Sequence, residues 1–596
     1  MTYRAPINDM LLSLNHGAGL QAAVKAGHYG DFDADITTAV LEEAGRFATD
    51  VLAPLNRVGD EHGIKLEADK VTTAPGWPDA YQRWTAAGWN AVSGPEAFGG
   101  QGLPLAINAA CTEIWSASNI AFGLCPLLTL SAIEALDAHG SDELKKIYLA
   151  KLISGEWPGT MQLTEPQAGS DVGALRTRAE PAGDGTYRLT GTKIFITYGE
   201  HDLTDNIIHF VLARVAGAPE GTRGLSLFLV PKFLVNPDGT LGARNDVRAH
   251  SLEHKLGIHG SPTCVMVYGD RGGAVGYLVG EENRGMACMF TMMNQARLAV
   301  GLQGVAIAER ATQQALAFAR ERRQGRASGA AAATSAGSSP IIAHPDVKRM
   351  LLTMRALTRA ARAICYATAV ALDRARLGAD AASRQAAHER ASLLTPAAKA
   401  FATDIGCEVA SLGLQVHGGM GYVEETGAAQ HFRDARIAPI YEGTNGIQAI
   451  DLVTRKLPLS GGATIKAYLG ELRRTVETIN ANNDPALGWT GVRLGETLDS
   501  LERATQWLLA RQQQDEALAG ATPYLRLFAT AAGGALLAEE ALAATRLAAD
   551  AAADPAARIA MARFFAENIA VQARGLERAV IEGADSVTGS DAALAG

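Results

Sequence analysis

The spacing of apolar residues changes twice along the chain, from helical to strand-like and back to helical. The order of these changes constrains the fold more than any other feature. Residues 40–158 carry apolar side chains at helical spacing, whereas residues 159–280 consist of short β-branched and apolar runs separated by Gly, Pro, Asp and Asn. Helical periodicity returns over 281–457 and continues, rich in alanine, over 458–596. We therefore predict a mostly α protein with one central β domain.

The length of 596 residues requires several domains, because a single hydrophobic core stops growing at about 250–300 residues. We predict an N-terminal extension, a helical domain, a β domain, a helix bundle and an additional helical module, at residues 1–39, 40–158, 159–280, 281–457 and 458–596. Four or five long helices fit the bundle, one of them starting with Thr395 as N-cap and Pro396 as its first residue. The small residues of 327–340 predict a mobile loop between two bundle helices.

Composition excludes several classes of function. The 54 basic and 63 acidic residues give a net charge of −9, which opposes binding to nucleic-acid phosphates. No uninterrupted apolar run reaches about 18 residues, and the N-terminus lacks a signal pattern, so we expect no integral membrane segment and a cytoplasmic location. The six cysteines show neither CxxC nor Cys/His spacing, which predicts no disulfide frame and no metal site.

Four polar motifs could hold a phosphate or the polar edge of a ring. The loop TEPQAGSDVG (164–173) combines a hydroxyl with backbone amides exposed by glycine, although an ordinary capped turn has the same composition. Thr197 ends the strand-like run of GTKIFITYGEHD, so its hydroxyl could face the same ligand as that of Thr164. The cations of ARERRQGR (319–326) and the glycines of LQVHGGMGYVEE (414–425) suit a pyrophosphate, while a solvated helix face remains the alternative for the cations.

One carboxylate has the setting of a catalytic base. In PIYEGTNGIQ, Glu442 stands between a tyrosine and a Gly-Thr-Asn-Gly turn that precedes a helix-like run, and a base needs such a constrained position. Its rivals are interpreted as solvated acids, as loop structure or as hydrogen-bonding loop residues: Glu424, Glu425, Glu165, His254, His259 and His417. The chain contains no GxSxG motif, so serine hydrolysis is not expected.

Seven motifs, taken in chain order, resemble those of the acyl-CoA dehydrogenase family of flavoproteins. They are LTEPQAGSDVG, GTKIFITYG, EHKLGIHGSPTCVMVYGD, GEENRGM, ARERRQG, LQVHGGMGYVEE and FRDARIAPIYEGTNGIQ. The resemblance covers about residues 40–455. It implies a helical domain, a β-barrel and a four-helix bundle, with FAD held between barrel and bundle, and the chain adds a further C-terminal helical domain.

The resemblance also implies a role for each matching residue. Glu442 matches the base that takes the α-proton of an acyl-CoA thioester, while flavin N5 accepts the β-hydride and a trans-2-enoyl-CoA forms. Flavin contacts are implied for Met161, Leu163, Thr164, Ser170, Phe195, Ile196, Thr197, Gly443, Thr444 and Gly446. Contacts to the FAD of a neighbouring subunit, and hence a homodimer or larger homo-oligomer, are implied for Arg322, Gln324, Gln415 and Gly419. Substrate contacts are implied for Ser170, Asn294 and Arg297.

Within the family, the N-terminal APINDMLLSLNH and the C-terminal module resemble the enlarged dehydrogenases that include 3-(methylthio)propionyl-CoA dehydrogenases. An electron-transfer flavoprotein is then the expected electron acceptor. Two alternatives stay open, an acyl-CoA oxidase that uses dioxygen and a flavin-carrying, nucleic-acid-associated stress-response protein. The acids after residue 536 argue against the second alternative, because they oppose phosphate binding.

Overall fold

The structure is a computed structural model that describes residues 3–29, 32, 34–328, 337–482, 484–511, 514–547 and 551–595. Two compact units are present. One consists of Met1–Arg46, Pro104–Ala117 and Arg297–Gly596, and the other of Phe47–Leu103 and Ser118–Ala296. We call them the helical unit and the barrel unit. The predicted boundaries of the five parts stay a prediction.

Helices account for most of the described residues. In chain order they are α1 (Ile7–Leu12), α2 (Leu20–Lys25), α3 (Ala34–Phe47), α4 (Ala53–His62), α5 (Trp77–Ala86), α6 (Leu105–Ser118), α7 (Ile120–His139), α8 (Asp142–Leu144), α9 (Ala150–Ser154), α10 (Gly285–Glu321), α11 (Pro345–Leu377), α12 (Ala381–His417), α13 (Ala428–Ala435), α14 (Asn445–Asp451), α15 (Ala463–Ala481), α16 (Thr490–Leu509), α17 (Asp515–Ala519), α18 (Ala521–Arg546), α19 (Pro555–Phe564), α20 (Ala573–Ile581), α21 (Ala584–Thr588) and α22 (Asp591–Leu594). Short π-helical and 3-10 segments join several of them.

The strands of the described residues all lie in the barrel unit. They are β1 (Lys65–Glu67), β2 (Lys70–Thr72), β3 (Gly159–Gln162), β4 (Arg178–Pro181), β5 (Tyr187–Thr197), β6 (Ile208–Val215), β7 (Leu225–Pro231), β8 (Phe233–Val235), β9 (Leu241–Arg244), β10 (Val247–Leu252), β11 (Thr263–Tyr268) and β12 (Ala274–Val279). The predicted mostly α fold with a central β domain is thereby confirmed.

Eight strands form the main sheet, and five of them close it into a barrel. β4 pairs with both β5 and β6, and the antiparallel pairs of β5 with β12, β12 with β7, and β7 with β6 complete the ring. The five-stranded ring has no strand edge of its own, and the core of the sheet includes Leu189, Val211 and Phe228. The hairpin of β1 and β2 was not predicted, because its two-residue turn, Ala68 and Asp69, adopts positive φ without the usual glycine.

The predicted helix bundle has fewer long helices than expected. Three long helices, α10, α11 and α12, and two short ones, α13 and α14, replace the expected four or five long helices. The predicted helix start at Thr395 and Pro396 is wrong, because both residues lie inside α12. That helix begins after Asp380, whose side chain accepts a hydrogen bond of 2.8 Å from Ser383 N.

Burial explains why the helix continues through a proline. All residues from Leu393 to Thr403 are buried against neighbouring helices, so packing offsets the hydrogen bond that proline cannot donate. Thr395 does not cap a helix, since its hydroxyl donates back to Ala391 O at 2.7 Å.

The expected mobile loop 327–340 lies largely outside the described residues, because 329–336 are not among them. The described ends of this segment are hydrogen-bonded to each other. Gln324 N donates to Ser339 O at 3.0 Å, and Ser339 N donates to Gly325 O at 2.8 Å. The described residues that follow α10 and those that precede α11 therefore lie side by side.

Two helices of the described residues, α7 and α18, are long and apolar enough to cross a membrane by length and composition alone. Most of each is buried, 89% of its most apolar window, as in the core helices of soluble proteins. These helices are therefore weak evidence for a membrane span, and the cytoplasmic location stays a prediction.

Candidate active site

Glu442 lies on a tight turn between α13 and α14 in the helical unit. Glu442 and Gly443 both adopt left-handed backbone conformations, with φ of 56° and 83°. Asn445 N donates to Pro439 O at 3.0 Å and closes the turn. Thr444 caps α14, because its hydroxyl accepts a hydrogen bond of 3.2 Å from Ile447 N. The backbone around Glu442 is thus fixed on both sides.

The carboxylate of Glu442 lies in an environment that makes it a base near neutral pH. Burial raises its pKa to about 7, although the charges of Arg297 and Lys399 oppose the rise. Among the described residues, no side chain or backbone amide donates a hydrogen bond to this carboxylate. A glutamate with this pKa can accept a proton at pH 7 and can release it again.

Arg297 is the first cation near Glu442. It lies on α10, is 6% exposed, and places Nη1 3.8 Å from Asp451 Oδ2. Its Nε has no hydrogen-bond partner among the described residues. Asn294, the other expected substrate contact on α10, is exposed. The structure brings Arg297 next to the predicted base, and its expected contact to the CoA portion stays a prediction.

Lys399 is the second cation and was missed by the sequence analysis. It lies inside α12, is fully buried, and donates to Asn445 Oδ1 at 2.9 Å. Burial lowers the pKa of Lys399 to about 7 against the opposing effects of Glu442 and Asp404. The motif AAKAF gave no signal, because a lysine among alanines is typical of a solvated helix surface.

Two buried glutamines complete the surroundings of the turn. Tyr441 OH donates to Gln303 Oε1, and Gln448 Nε2 lies 3.5 Å from the carbonyl oxygens of both Glu442 and Gly443. Gln303 Nε2 and Gln448 Oε1 have no partner among the described residues, although both side chains are fully buried. Buried polar atoms are normally hydrogen-bonded, so these two suit a bound ligand or an ordered water.

In the barrel unit, a β-bulge in β5 presents Phe195. Ile196 pairs with Cys264 and Lys193 pairs with Met266, so Ile194 and Phe195 together face a single residue of β11. Phe195 has a φ of 61° and is 58% exposed, which is unusual for a phenylalanine. Ile196 belongs to the barrel core, whereas Thr197 is partly exposed.

The loop after β3 runs beside this bulge. Thr164 O accepts a hydrogen bond of 3.0 Å from Ile194 N, so partly exposed Thr164 and Thr197 flank Phe195. Leu163 O accepts a hydrogen bond of 3.0 Å from Lys193 Nζ, and Met161 is buried within β3. Ser170 is exposed on the same loop. The structure thus brings Leu163, Thr164, Phe195, Ile196 and Thr197 together.

Glu165 holds the loop in place and is not a base. Its carboxylate accepts hydrogen bonds from Thr177 Oγ1 at 2.6 Å, Arg176 N at 2.6 Å and Lys193 Nζ at 2.8 Å. Burial alone would raise the pKa of Glu165, but Lys193 and the other donors outweigh it and hold the pKa at about 2. Its interpretation as loop structure is confirmed, whereas Lys193 was missed.

The other rival side chains also have structural roles. Glu424 forms an exposed ion pair of 2.9 Å with Arg433, and Glu425 is exposed. The interpretation as a hydrogen-bonding loop residue is confirmed for His259, whose Nε2 lies 3.0 Å from Lys255 O. His417 is hydrogen-bonded, with Nδ1 2.7 Å from Gly413 O, but it lies at the end of α12 and not in a loop, and His254 is exposed. The remaining predicted cofactor residues outside the turn are exposed at helix ends: Arg322 and Gln324 after α10, and Gln415 and Gly419 at the end of α12.

Comparisons with known proteins assign the family. Models for the acyl-CoA dehydrogenase N-terminal, middle and C-terminal domains match residues 35–156, 160–270 and 283–457, and an acetyl-CoA dehydrogenase C-terminal-like model matches 468–591. The 3-methylmercaptopropionyl-CoA dehydrogenase of Ruegeria pomeroyi is 47% identical over 98% of this chain and 99% of its own length. The chain belongs to the acyl-CoA dehydrogenase family.

One further relative supports the family assignment, and one solved structure supports the fold. The broad-specificity linear acyl-CoA dehydrogenase FadE5 of Mycobacterium tuberculosis is 33% identical over 95% of each chain. The crystal structure of an acyl-CoA dehydrogenase complexed with FAD from Bacillus anthracis has a TM-score of 0.74 at 20% identity, and the match covers 95% of this chain and 91% of that chain. This acyl-CoA dehydrogenase is therefore an oxidoreductase that acts on acyl-CoA, and its extra C-terminal helical domain is confirmed.

Family membership indicates FAD as the cofactor, and residues of both units fit it. The exposed ring of Phe195 and the partly exposed Thr164 and Thr197, which lie on the adjoining loop and strand, suit a flat ring with polar edges. In the helical unit, Gln448 Oε1 and Arg297 Nε lie beside the Glu442 turn and have no partner in the described part of the chain, so they suit the polar groups of a ligand. Each unit, taken by itself, thus carries residues whose chemistry suits this cofactor.

Proposed function

We propose that this acyl-CoA dehydrogenase uses Glu442 to remove the α-proton of an acyl-CoA thioester, so that a trans-2-enoyl-CoA forms. FAD, when bound, supplies the acceptor for the β-hydride. The observation that carries the proposal is the half-buried, hydrogen-bonded turn on which Glu442 has a pKa of about 7 with two cations nearby. A carboxylate of ordinary pKa would be a weaker base toward a carbon acid.

Substrate binding strengthens this base. An acyl chain that covers Glu442 excludes water, and loss of water destabilises the charged carboxylate and raises its pKa further. Arg297 and Lys399 counteract the rise, so the carboxylate stays ionised until the α-carbon is in place. The backbone N–H of Glu442 is expected to donate to the thioester oxygen, where negative charge develops.

The remaining site residues are proposed from the family motifs and their placement. We assign flavin contacts to Met161, Leu163, Thr164, Ser170, Phe195, Ile196, Thr197, Gly443, Thr444 and Gly446, and substrate contacts to Ser170, Asn294 and Arg297. The exposed residues Arg322, Gln324, Gln415 and Gly419 would reach the FAD of a second copy, which requires a homodimer or larger assembly. An electron-transfer flavoprotein would accept the electrons.

The proposed substrate is 3-(methylthio)propionyl-CoA or a short acyl-CoA of similar size. The support is the 47% identity to the Ruegeria relative, which extends through the N-terminal extension and the C-terminal module. A linear acyl-CoA of broader length range is the competing substrate class, because the Mycobacterium relative with that specificity also matches 95% of the chain at 33% identity.

Anaerobic reduction of the bound flavin tests cofactor, reaction and substrate together. Wild-type protein is mixed without oxygen with 3-(methylthio)propionyl-CoA, butyryl-CoA and longer linear acyl-CoAs, and loss of the yellow absorbance is followed. We expect flavin reduction to be most efficient with 3-(methylthio)propionyl-CoA, measured as the rate of reduction at a given acyl-CoA concentration. Higher specificity for long linear acyl-CoAs would refute the proposed substrate, and rapid peroxide formation in air without another acceptor would indicate an oxidase.

A further inference from the structure

Lys399 is fully buried, which is unusual for a lysine. It lies in the middle of α12 with 0% of its surface exposed, between Ala398 and Ala400, which are also buried. Lysine is rarely buried in this way unless it is paired, because burial removes water from the ammonium group. The Lys399 ammonium donates a hydrogen bond of 2.9 Å to Asn445 Oδ1.

Asn445 joins Lys399 to the turn of Glu442. The Asn445 amide group donates to Asp404 Oδ1 at 2.7 Å, to Thr403 Oγ1 at 3.0 Å and to Ala400 O at 3.1 Å. Its backbone N–H closes the turn on Pro439 O. A displacement of the Asn445 side chain would therefore move a residue only three positions after Glu442.

The charges around Lys399 come from two other elements as well as its own. Glu442 lies on the turn, Asp404 on α12 and Arg297 on α10. Asp451 on α14 in turn faces Arg297. Arg436 and Arg526 in turn face Asp404. Glu442 and Asp404 favour a charged Lys399, and Lys399 favours a charged Glu442.

We propose that Lys399 is a positioning residue for the dehydrogenation, which fixes the turn of Glu442 through Asn445 and keeps the carboxylate ionised through its positive charge. This inference rests on the proposed role of Glu442 as the base. The two effects are separable, because the link needs Asn445 whereas the charge acts directly across the site.

The test measures the rate of anaerobic flavin reduction against pH for FAD-loaded Lys399→Met and Asn445→Ala. Loss of the ammonium removes the charge that lowers the pKa of Glu442. We therefore expect the acid limb of the Lys399→Met profile to move to higher pH by about 1 pH unit. Loss of the Asn445 side chain breaks the link between Lys399 and the turn and misplaces the base. Asn445→Ala should therefore reduce flavin about 10-fold or more slowly at every pH, with the acid limb of its profile close to that of wild type.

Thr395→Val is the matched control. Thr395 is buried on α12 one turn before Lys399, and its hydroxyl bonds only within the helix. The variant tests whether any polar loss in this part of α12 alters the reaction, and we expect a wild-type pH profile and rate. Thermal unfolding of each variant shows whether it is folded.

Glu442→Gln, measured in parallel, separates the two proposals. An inactive Glu442→Gln together with a wild-type profile for Lys399→Met would overturn the role of Lys399 and leave the base in place. An active Glu442→Gln would overturn both. If Lys399→Met does not fold, Asn445→Ala decides alone: a wild-type rate would overturn the inference, and the expected loss without loss of acyl-CoA binding would support it.

Discussion

At the scale of single residues, the site depends on a backbone conformation that most side chains avoid. Glu442 and Gly443 have positive φ in succession, which costs free energy that the surrounding hydrogen bonds must offset. Glycine suits position 443, because the left-handed φ of 83° disfavours other residues and a Cβ there would lie 2.8 Å from Gln448 Nε2. The strained backbone of the turn thus fixes the direction of the Glu442 side chain.

Gly443→Ala should therefore impair both catalysis and stability. We expect a loss of about 10-fold or more in the rate of flavin reduction, and about 1–2 kcal/mol in the free energy of unfolding. Stopped-flow absorbance and chemical denaturation measure the two effects. Gly461→Ala is the control, because Gly461 has a φ of 64° but a Cβ added there would have no atom within 4 Å. Equal effects of both substitutions on the rate would contradict this account.

The sequence predicted the residues that carry recognisable motifs and missed those that act through burial. Glu442 and Thr197 stand in motifs whose spacing indicates a turn and a strand end. Lys399 and Gln448 have no such signal, because their importance comes from being fully buried beside the turn. Burial of a polar side chain depends on tertiary packing, which a single sequence does not reveal.

At the scale of elements, the position of Lys399 follows from a close approach of α10 to α12. A Cβ on Gly301 would lie 2.3 Å from Ala398 O, and one on Gly304 would lie 2.3 Å from Ala402 O. The two backbones therefore meet at glycines, on either side of Lys399 along α12. Any larger residue at these points must push the helices apart.

Gly304→Ala should destabilise the protein even though alanine is the better helix former. Its methyl group would meet the backbone of α12, which cannot move aside as a flexible side chain can. We expect a loss of about 2–3 kcal/mol in unfolding free energy, measured by chemical denaturation, and slower flavin reduction.

Gly470→Ala on α15 is the control for Gly304→Ala, and we expect it to stabilise the protein. No atom lies within 4 Å of a Cβ at Gly470, so only the helix propensity changes. A gain of about 0.5–1 kcal/mol is expected. If Gly304→Ala were as stabilising as Gly470→Ala, the close helix contact would be disproved.

Element types were predictable over long periodic segments, and the errors lie where packing overrides local preference. The run around Thr395 and Pro396 has the composition of a helix start, yet it lies inside α12 because both sides of the proline are buried. The hairpin of β1 and β2 lacks a glycine turn, and the bulge at Phe195 shows no sequence mark. The order of helical, β and helical segments was nevertheless predicted correctly.

At the scale of the whole molecule, the N-terminal segment and the C-terminal module are joined in the helical unit by one carboxylate. Asp9 on α1 accepts hydrogen bonds from Arg359 on α11 at 2.6 Å and from Arg558 on α19 at 2.5 Å. Both arginines are buried, at 6% and 4% exposure. Burial alone would raise the pKa of Asp9, but the two arginines outweigh it and hold the pKa at about 2.

Asp9→Asn should lower the free energy of unfolding by about 2 kcal/mol near pH 7, because two buried cations lose their shared partner. The folded-state pKa of Asp9 is depressed below its ordinary value of 3.8. The stabilisation is therefore fully present above pH 3.8 and is lost as the pH falls toward 2. Chemical denaturation of both proteins at a series of pH values measures the difference.

Asp346→Asn is the control for this prediction, since its ion pair with Arg349 is exposed. Exposed pairs contribute little, and we expect a change below about 0.5 kcal/mol. A difference between wild type and Asp9→Asn that persisted unchanged at the lowest pH would contradict the assignment.

The central claim is that Glu442 is the base, and anaerobic flavin reduction by Glu442→Gln tests it most directly. Glutamine preserves the size of the side chain but cannot take the α-proton. We expect a yellow, FAD-loaded variant that binds acyl-CoA and does not bleach, whereas Glu425→Gln, a change at an exposed acid on the same unit, bleaches like wild type. Full bleaching of Glu442→Gln at the wild-type rate would contradict the claim and place the base elsewhere.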